Sequence, residues 1–330
     1  MPKVSVVIAT YNRSRFLCQT IESALSQTYK DYEIIIVDDG STDDTKEALK
    51  FFDGKIRYFY QENQGISAAK NRGVNESVGE FIAFVDDDDI WLPEKLDEQM
   101  QFIERHPQLA FVCSEVITID EHGNFLAHWR KPKDQKISDN FENLYDGNFI
   151  HVPTVLLRKK CFIEIGGFDE KLMTTEDYDL WLRLAKRHPF RYMDKPLAKY
   201  RIHKNQTTKN VKKLELRVRN NIKALNRREI ASDLGFFKKR VRKAKVYYQY
   251  AKIYFKSENF LKASLTYFKS LATYPLIGTY YWPKEARNLR FSLVYRVLKI
   301  YLNVFLCLFL DTKNRMQLLL RLKKGKLNNA

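Results

Sequence analysis

Apolar runs alternate with segments of helical spacing along the first hundred residues. The run at 4–12, VSVVIATYN, is β-branched and ends in polar residues, which predicts a strand buried on both faces. Residues 14–27 carry apolar side chains at helical spacing, and the same order of strand and helix recurs at 32–49. A third strand and helix precede the apolar run at 80–85. This alternation predicts an α/β fold with a mostly parallel central sheet and helices on both faces.

Polar clusters follow three of the predicted strands at the point where each strand ends. Asn12 follows the first, Asp38 and Asp39 follow the second, and the acidic run Asp86–Asp89 follows the fourth. The carboxyl ends of parallel strands lie at one edge of a sheet, where ligands of such folds bind. We therefore expect these three clusters to converge on one crevice.

The pattern changes after the first two hundred residues. Strand-like runs and a helix at 175–188 give way, after His203, to helical spacing rich in Lys, Arg, Tyr and Leu. Residues 1–203 hold 27 basic and 34 acidic residues, a net charge of −7, whereas residues 204–330 hold 30 and 6, a net charge of +24. We predict two domains, 1–205 and an all-helical, strongly basic 206–330, with different partners.

The cysteine pattern and the lengths of the apolar runs also indicate the cellular compartment of the protein. The four cysteines are scattered without the close spacing of a metal site, which favours a reducing compartment. The amino terminus leads straight into a strand without the features of a signal peptide, and no uninterrupted apolar run reaches about 18 residues. These observations predict a cytoplasmic location.

Four consecutive carboxylates directly after an apolar run, FIAFVDDDD, repel one another unless a cation neutralises them. Oxygen ligands of this kind favour Mg²⁺ or Mn²⁺, and Mg²⁺ usually keeps part of its shell for substrate phosphates. The run therefore predicts a divalent-ion site that also takes a phosphate-bearing ligand. The alternative is a solvated acidic turn that caps the next helix.

Residues 1–203 resemble an inverting glycosyltransferase of family 2, with the GT-A fold. The matching stretches occur in the family's order and begin with VSVVIATYNRSRFL and ESALSQTYKDYEIIIVDDGSTDDT. They continue with NQGISAAKNRGVNESVGEFIAFVDDDDIWLPEKL and end with GGFDE, EDYDLWLRLA and YRIH. The resemblance implies transfer of a sugar from a nucleotide-diphosphate donor, a UDP-sugar, to a hydroxyl of a glycan or lipid-linked glycan.

The resemblance also implies donor-binding roles. Asp39 matches the residue that binds the uracil base, as a carboxylate that accepts an imide N–H can do. Ala9 and Tyr11 match positions of the nucleotide pocket, and Asp86 matches the first acid of the DxD signature, near the ribose. Asp87 stands where the family often has a small residue, so the acid that carries the metal stays open among Asp86, Asp87 and Asp88.

The remaining roles concern the metal and the base. The resemblance implies that Asp88 binds a Mn²⁺ or Mg²⁺ ion, that His203 approaches the ion or the diphosphate, and that Asp177 is the catalytic base. A structural histidine is the alternative for His203. Asp177 also has a structural interpretation, as a helix-start acid favoured by the dipole. In an inverting transfer the base takes the proton of the attacking hydroxyl while the ion offsets charge that grows on the leaving diphosphate.

The basic tail carries two further predictions. Residues 241–275 resemble one tetratricopeptide unit, and the alternative is a plain helical hairpin. The amphipathic segment 286–310 mixes bulky apolar residues with Lys and Arg, which predicts peripheral attachment to an anionic membrane face. Helix packing with a solvated basic face, at an interface of a homo-oligomer, is the alternative. No nucleic-acid reader motif is present, so we expect no nucleic acid partner.

Two other functions remain open at this point. A phosphotransferase of the haloacid dehalogenase type also places an acidic motif after an apolar strand, although that motif normally opens its domain. A non-catalytic, membrane-associated scaffold with the same fold is the second alternative.

Overall fold

The computed structural model describes residues 1–129, 141–204, 206 and 213–274. The chain divides into two compact units, residues 1–210 and residues 211–330. The predicted amphipathic segment 286–310 lies outside the described residues.

The described part of the first unit contains nine strands and seven α-helices. The strands are β1 Val4–Thr10, β2 Tyr32–Asp38, β3 Arg57–Tyr60, β4 Phe81–Phe84, β5 Ile90–Trp91, β6 Phe111–Ile119, β7 Phe125–Trp129, β8 Leu156–Arg158 and β9 Phe190–Arg201. The helices are α1 Ser14–Leu25, α2 Thr45–Leu49, α3 Ile66–Glu76, α4 Lys95–Glu104, α5 Phe141–Asp146, α6 Lys159–Glu164 and α7 Glu176–Arg187, with 3₁₀ turns at Lys50–Phe52 and Val152–Thr154.

The described strands form one sheet in the order β3-β2-β1-β4-β8-β6-β9-β5, and β7 pairs with β6. Strands β1 to β4 pair in parallel, and β9 pairs in parallel with β6. The pairs β4–β8, β6–β8, β5–β9 and β6–β7 are antiparallel. The carboxyl ends of β1, β2 and β4 therefore lie side by side, with β9 crossing towards the same acidic turn.

Alternate residues of the central strands face two different cores. Val6 and Ile8 of β1 pack with Leu17 of α1 and Met100 of α4. Residues of opposite register, such as Ile35 of β2, pack with Ala69 of α3. Helix α3 approaches the sheet so closely that a Cβ on Gly73 would lie 2.4 Å from Val7 Cγ1. Helices cover both faces of the sheet, which confirms the predicted α/β fold.

The described part of the second unit is helical, with α8 Leu214–Leu225, α9 Arg228–Ala231, α10 Phe236–Lys256 and α11 Phe260–Thr273. Helices α10 and α11 form a hairpin. Ser270 Oγ donates to the carbonyl of Ala244 at 2.7 Å, and the rings of Tyr248 and Tyr267 meet edge to face. No helix within the described ranges is long and apolar enough to cross a membrane.

Candidate active site

The loops after β1 and β2 are joined by Asn12, which adopts a left-handed backbone with φ 54°. Its side-chain oxygen accepts hydrogen bonds from the backbone N–H of Thr42 at 2.7 Å and of Asp43 at 3.2 Å. Asn tolerates this conformation better than most residues. The two strand ends are thereby fixed against each other, which shapes one side of the crevice that the sequence predicts.

Asp39 is buried at the end of β2 and accepts three hydrogen bonds from the chain. Gln61 Nε2 and the backbone N–H of Gln64 donate to Oδ1 at 2.7 and 2.9 Å, and the N–H of Gly65 donates to Oδ2 at 2.8 Å. A carboxylate has about four acceptor positions, so one position on Oδ2 remains.

The other two predicted nucleotide-pocket residues lie at the end of β1. The Ala9 side chain is buried in the core on the α3 face, whereas Tyr11, just beyond the strand, is about half exposed. Of the two, Tyr11 is therefore the residue whose side chain solvent reaches.

The acidic turn after β4 is cross-linked to the end of β1. Thr10 Oγ1 donates to Asp87 Oδ2 at 2.9 Å. The guanidinium of Arg13 donates to Asp87 Oδ1 at 2.7 Å and to Asp88 Oδ2 at 2.9 Å. Burial raises the pKa of Asp87 to about 6, against the opposing charge of Arg13. Arg13 thus neutralises part of the charge that the sequence concentrates here.

His203 reaches the same turn from the far end of the first unit. Its Nε2 lies 2.9 Å from Asp88 Oδ2, and both side chains are buried. Arg201 sets this approach, because its backbone N–H donates to Asp89 Oδ1 and its Nε donates to the carbonyl of Asp88, both at 2.9 Å. Burial and the neighbouring acids raise the pKa of Asp89 well above its usual value.

Asp86 faces a different cation from its neighbours. Lys70 Nζ, on α3, donates to Asp86 Oδ1 at 2.7 Å, and the lysine side chain is only 1% exposed. Burial alone would lower the pKa of Lys70, but the charges of Asp86, Glu176 and Asp177 raise it above its usual value. A buried ammonium group therefore lies between Asp86 and the first turn of α7.

Asp177 is half buried at the start of α7, where Asn148 Nδ2 lies 3.4 Å from its Oδ2. Burial raises the pKa of Asp177, and Lys70 opposes that rise. The adjacent Glu176 is more deeply buried, and its pKa rises to about 7, first through burial and next through the charge of Asp177. Among the described residues, Glu176 Oε2 has no hydrogen-bond partner. These two carboxyls are the titrating pair of the site.

The structure places the predicted site residues at strand ends or in the turns beside them, except Asp177, which lies in the first turn of α7. It also adds residues for which the sequence predicted no role: Arg13, Lys70, Asn148, Glu176 and Arg201. All of these except Asn148 lie within the stretches quoted for the resemblance, but their roles depend on the partners that folding brings within reach. Within the described residues no group of three or more His, Cys, Asp or Glu side chains forms a ready metal cage.

Comparison with known proteins identifies the family of the chain. The family model of glycosyl transferase family 2 matches residues 5–166. A GalNAc(5)-diNAcBac-PP-undecaprenol beta-1,3-glucosyltransferase of Campylobacter jejuni is 35% identical over 217 residues, covering 63% of this chain and 67% of that protein. By contrast, the chain spans only 36% of the length of an uncharacterized glycosyltransferase of Rickettsia felis, to which it is 35% identical over 217 residues, 64% of this chain.

Two solved structures share the fold at low sequence identity. The crystal structure of Staphylococcus aureus TarS 1-349 in complex with UDP-GlcNAc superposes with a TM-score of 0.59 at 18% identity, covering 92% of this chain and 90% of that chain. The mannosyltransferase PcManGT of Pyrobaculum calidifontis, in complex with GDP-Man and Mn²⁺, superposes with a TM-score of 0.57 at 15% identity and covers 92% and 87%. The folded strands, the site and these relatives together show that the chain belongs to glycosyltransferase family 2 and has the GT-A fold.

Proposed function

We propose that the protein is an inverting transferase that moves a sugar from a UDP-sugar to a hydroxyl of a glycan or lipid-linked glycan. One observation carries the proposal: buried Lys70 joins Asp86, at the end of β4, electrostatically to Asp177, at the start of α7. A single displacement requires a donor site on one side of the reacting atoms and a proton acceptor on the other. The name of the Campylobacter jejuni relative, which includes an undecaprenol-linked acceptor, supports the lipid-linked class.

The donor would bind at the ends of β1, β2 and β4. Asp39 keeps one acceptor position for the imide N–H of uracil, since its other three are filled by the chain. Tyr11 is exposed enough to cover the base, and Ala9 lines the floor of this region. Asp86, the most exposed of the four acids with 25% of its side chain accessible, would face the ribose, and Asp87 holds the turn in place beside it.

The residues present fit a divalent ion, Mn²⁺ or Mg²⁺. Asp88 Oδ2 lies 2.9 Å from His203 Nε2 and also accepts a hydrogen bond from the guanidinium of Arg13. Two protein ligands leave positions for diphosphate oxygens and water, as is usual for Mg²⁺. The ion in the PcManGT complex is Mn²⁺, which suits a mixed oxygen and nitrogen ligand set. When bound, such an ion supplies Lewis-acid stabilisation of charge that grows on the leaving diphosphate.

The chain's own groups carry the proton chemistry. A carboxylate oxygen of Asp177 takes the proton of the acceptor hydroxyl while the hydroxyl oxygen attacks the anomeric carbon. The bond between this carbon and the diphosphate breaks on the opposite face. Lys70 opposes the effect of burial on the pKa of Asp177 and so favours its ionised form. The side-chain amide of Asn148 lies beside the carboxylate, with Nδ2 3.4 Å from Oδ2. A pKa above the ordinary value makes the ionised carboxylate a stronger base.

The acceptor class calls for a membrane, and we propose peripheral attachment to an anionic cytoplasmic face through the basic second unit. The excess of Lys and Arg after His203 supports this attachment.

The haloacid dehalogenase alternative has no support here, because the acids follow the fourth strand of the chain rather than opening the domain. The four proposed binding and catalytic acids Asp39, Asp86, Asp88 and Asp177 are all present, which disfavours the scaffold alternative.

The test is a panel of nucleotide-sugars incubated with the protein and Mn²⁺, with release of nucleoside diphosphate and the configuration of the released sugar followed by NMR. We expect hydrolysis of a UDP-sugar, with an initial product of inverted anomeric configuration and with loss of the activity on chelation. A retained configuration would exclude the single displacement. Release of inorganic phosphate without sugar transfer would favour the phosphotransferase instead.

A further inference from the structure

Helix α11 is apolar on the face that it turns away from α10. Leu261, Leu265 and Phe268 follow one another at spacings of four and three residues, so they lie on one side of the helix. Their exposed fractions are 64%, 54% and 64%. The opposite side carries Ala263 and Tyr267, which are buried in the hairpin. Large apolar side chains aligned in this way and left in water indicate a surface that something else covers.

Two further exposed apolar residues lie at the start of α10, beside the carboxyl end of α11. Arg240 links the two helices, because its guanidinium donates to the carbonyls of Ala272 and Thr273 and also lies over the ring of Phe236 at 5.4 Å. Phe236 and Phe237 contact each other edge to face and are 62% and 73% exposed. We call these two phenylalanines, together with Leu261, Leu265 and Phe268, the hairpin apolar surface.

The charge around the hairpin apolar surface indicates which kind of partner binds it. Residues 213–274 hold 16 Lys and Arg against 4 Asp and Glu, a net charge of +12. Lys262 and Lys269 are exposed on α11 beside the apolar residues, and Lys238 and Lys239 follow Phe237. Bulky apolar residues flanked by Lys and Arg are the composition of helices that lie in the interface of an anionic bilayer. A neutral protein partner would not require this density of positive charge.

We propose that the hairpin apolar surface inserts into the headgroup boundary of an anionic lipid bilayer, with the flanking lysines on the lipid phosphates. This inference rests on the membrane attachment included in the proposed function and assigns it to described residues of α10 and α11 rather than to segment 286–310 alone. Apolar insertion and charge attraction act together in such attachment, so the two contributions can be removed separately.

The test is flotation of the full-length protein with vesicles of phosphatidylcholine, with or without about 30% phosphatidylglycerol. We expect the unchanged protein to float with the anionic vesicles and to stay with the soluble fraction when they are neutral. Leu265→Glu combined with Phe268→Glu should lower the vesicle-bound fraction by about tenfold or more. The matched control is Phe125→Glu combined with Leu126→Glu on β7, which changes the net charge equally at residues 59% and 49% exposed. It should change binding by no more than about twofold.

A second measurement does not depend on a charge placed in the helix. Phe268→Trp keeps the surface apolar, so this variant should float like the unchanged protein. Its additional tryptophan emission should shift to the blue with anionic vesicles and be quenched by brominated lipid. Release of UDP from a UDP-sugar in solution should be equal in all variants, which separates failure of this inference from failure of the catalytic proposal.

Three outcomes would overturn the inference. No flotation of the unchanged protein would remove membrane attachment altogether. Flotation of the Leu265→Glu/Phe268→Glu variant at the level of the unchanged protein would leave attachment to another part of the chain. An unchanged emission of Phe268→Trp, with flotation intact, would place α11 away from the bilayer.

Discussion

The ammonium group of Lys70 lies 2.7 Å from Asp86 Oδ1, and 1% of the lysine side chain is exposed. A buried cation is stable only when paired, and the carboxyls of Glu176 and Asp177 add to the negative charge around it. The same positive charge opposes the rise in the pKa of Asp177 that burial causes. One residue of α3 thus pairs with the acid that follows β4 and also opposes the rise in the pKa of Asp177 at the start of α7.

Replacement of Lys70 by Met should therefore change the pH dependence of turnover. Without the positive charge the pKa of Asp177 rises, so a smaller fraction of the base is ionised at a given pH. The acidic limb of kcat/KM for UDP-sugar hydrolysis should move to higher pH, and the folded state should lose about 3–5 kcal/mol as an uncompensated carboxylate is left behind. Rate profiles between about pH 5 and 9 and urea unfolding check both effects.

Lys70→Arg is the matched variant, because it keeps the charge while changing the shape of the donor. It should preserve the position of the acidic limb even where the rate falls. An acidic limb that moves equally in the Met and Arg variants would show that packing, not charge, accounts for the effect.

Asp177→Asn should remove the proposed proton acceptor with little change in shape. We expect transfer to fall by about 10²- to 10⁴-fold, the usual contribution of a positioned base. Calorimetric binding of UDP with Mn²⁺ should stay within about twofold, because Asp177 makes no contact with the proposed nucleotide positions. Asp31→Asn, an exposed acid at the other end of β2, is the control and should leave both quantities unchanged. Turnover near the original rate would exclude Asp177 as the base.

Glu176 should make stability depend on pH in a defined direction. Its pKa is about 7 in the folded protein against an ordinary value of 4.5, so the folded state holds a proton that the unfolded chain releases. The free energy of unfolding should therefore fall as pH rises from about 4.5 to about 7, by at most about 3 kcal/mol. Glu176→Gln should flatten this part of the curve, measured by denaturant unfolding at several pH values. Glu62→Gln, an exposed site, should leave the curve unchanged, and an equal slope in both variants would contradict the assignment.

Asp88 and His203 should act as a pair in ion binding. Asp88→Ala and His203→Ala should each weaken Mn²⁺-dependent binding of UDP by about 10- to 100-fold, whereas UDP binding with EDTA should change little. His128→Ala, an exposed histidine of β7, serves as the control. If both residues hold one ion, the double variant should bind UDP with Mn²⁺ about as weakly as the more affected single variant. Unchanged affinity in either single variant would remove that residue from the ion site.

Much of the fold could be predicted from the sequence because the periodicity there is strong. Residues 6–9 of β1 and 34–37 of β2 are apolar at every position, as in strands covered on both faces. β5, by contrast, is two residues long, and its assignment depends on pairing with β9 more than a hundred positions later. β7 has four exposed residues among five, so burial gives no signal for it. Whether such short or exposed segments form strands depends on pairing with strands elsewhere in the chain.

The site divides in the same way. Asp86, Asp88 and Asp177 are acids in recognisable motifs, so the sequence indicates them directly. Arg13 and Lys70 are single basic residues within amphipathic segments, and their roles depend on which carboxylates they meet after folding. The raised pKa of Asp89 could not be predicted from four identical residues in a row either. It results first from full burial, and burial differs among the four acids only once the chain is folded.

The contact between Asp88 and His203 spans 115 positions of the chain. During synthesis on the ribosome, Asp88 leaves the exit tunnel long before His203 exists, whereas Arg13, 75 positions earlier, is already available to neutralise it. The amino-terminal strands can thus assemble around their acids without a metal ion. His203 follows β9, so the two residues of the proposed ion site can meet only after β9 has been translated and has paired with β6. A growing polypeptide cannot acquire the complete proposed site before that stage.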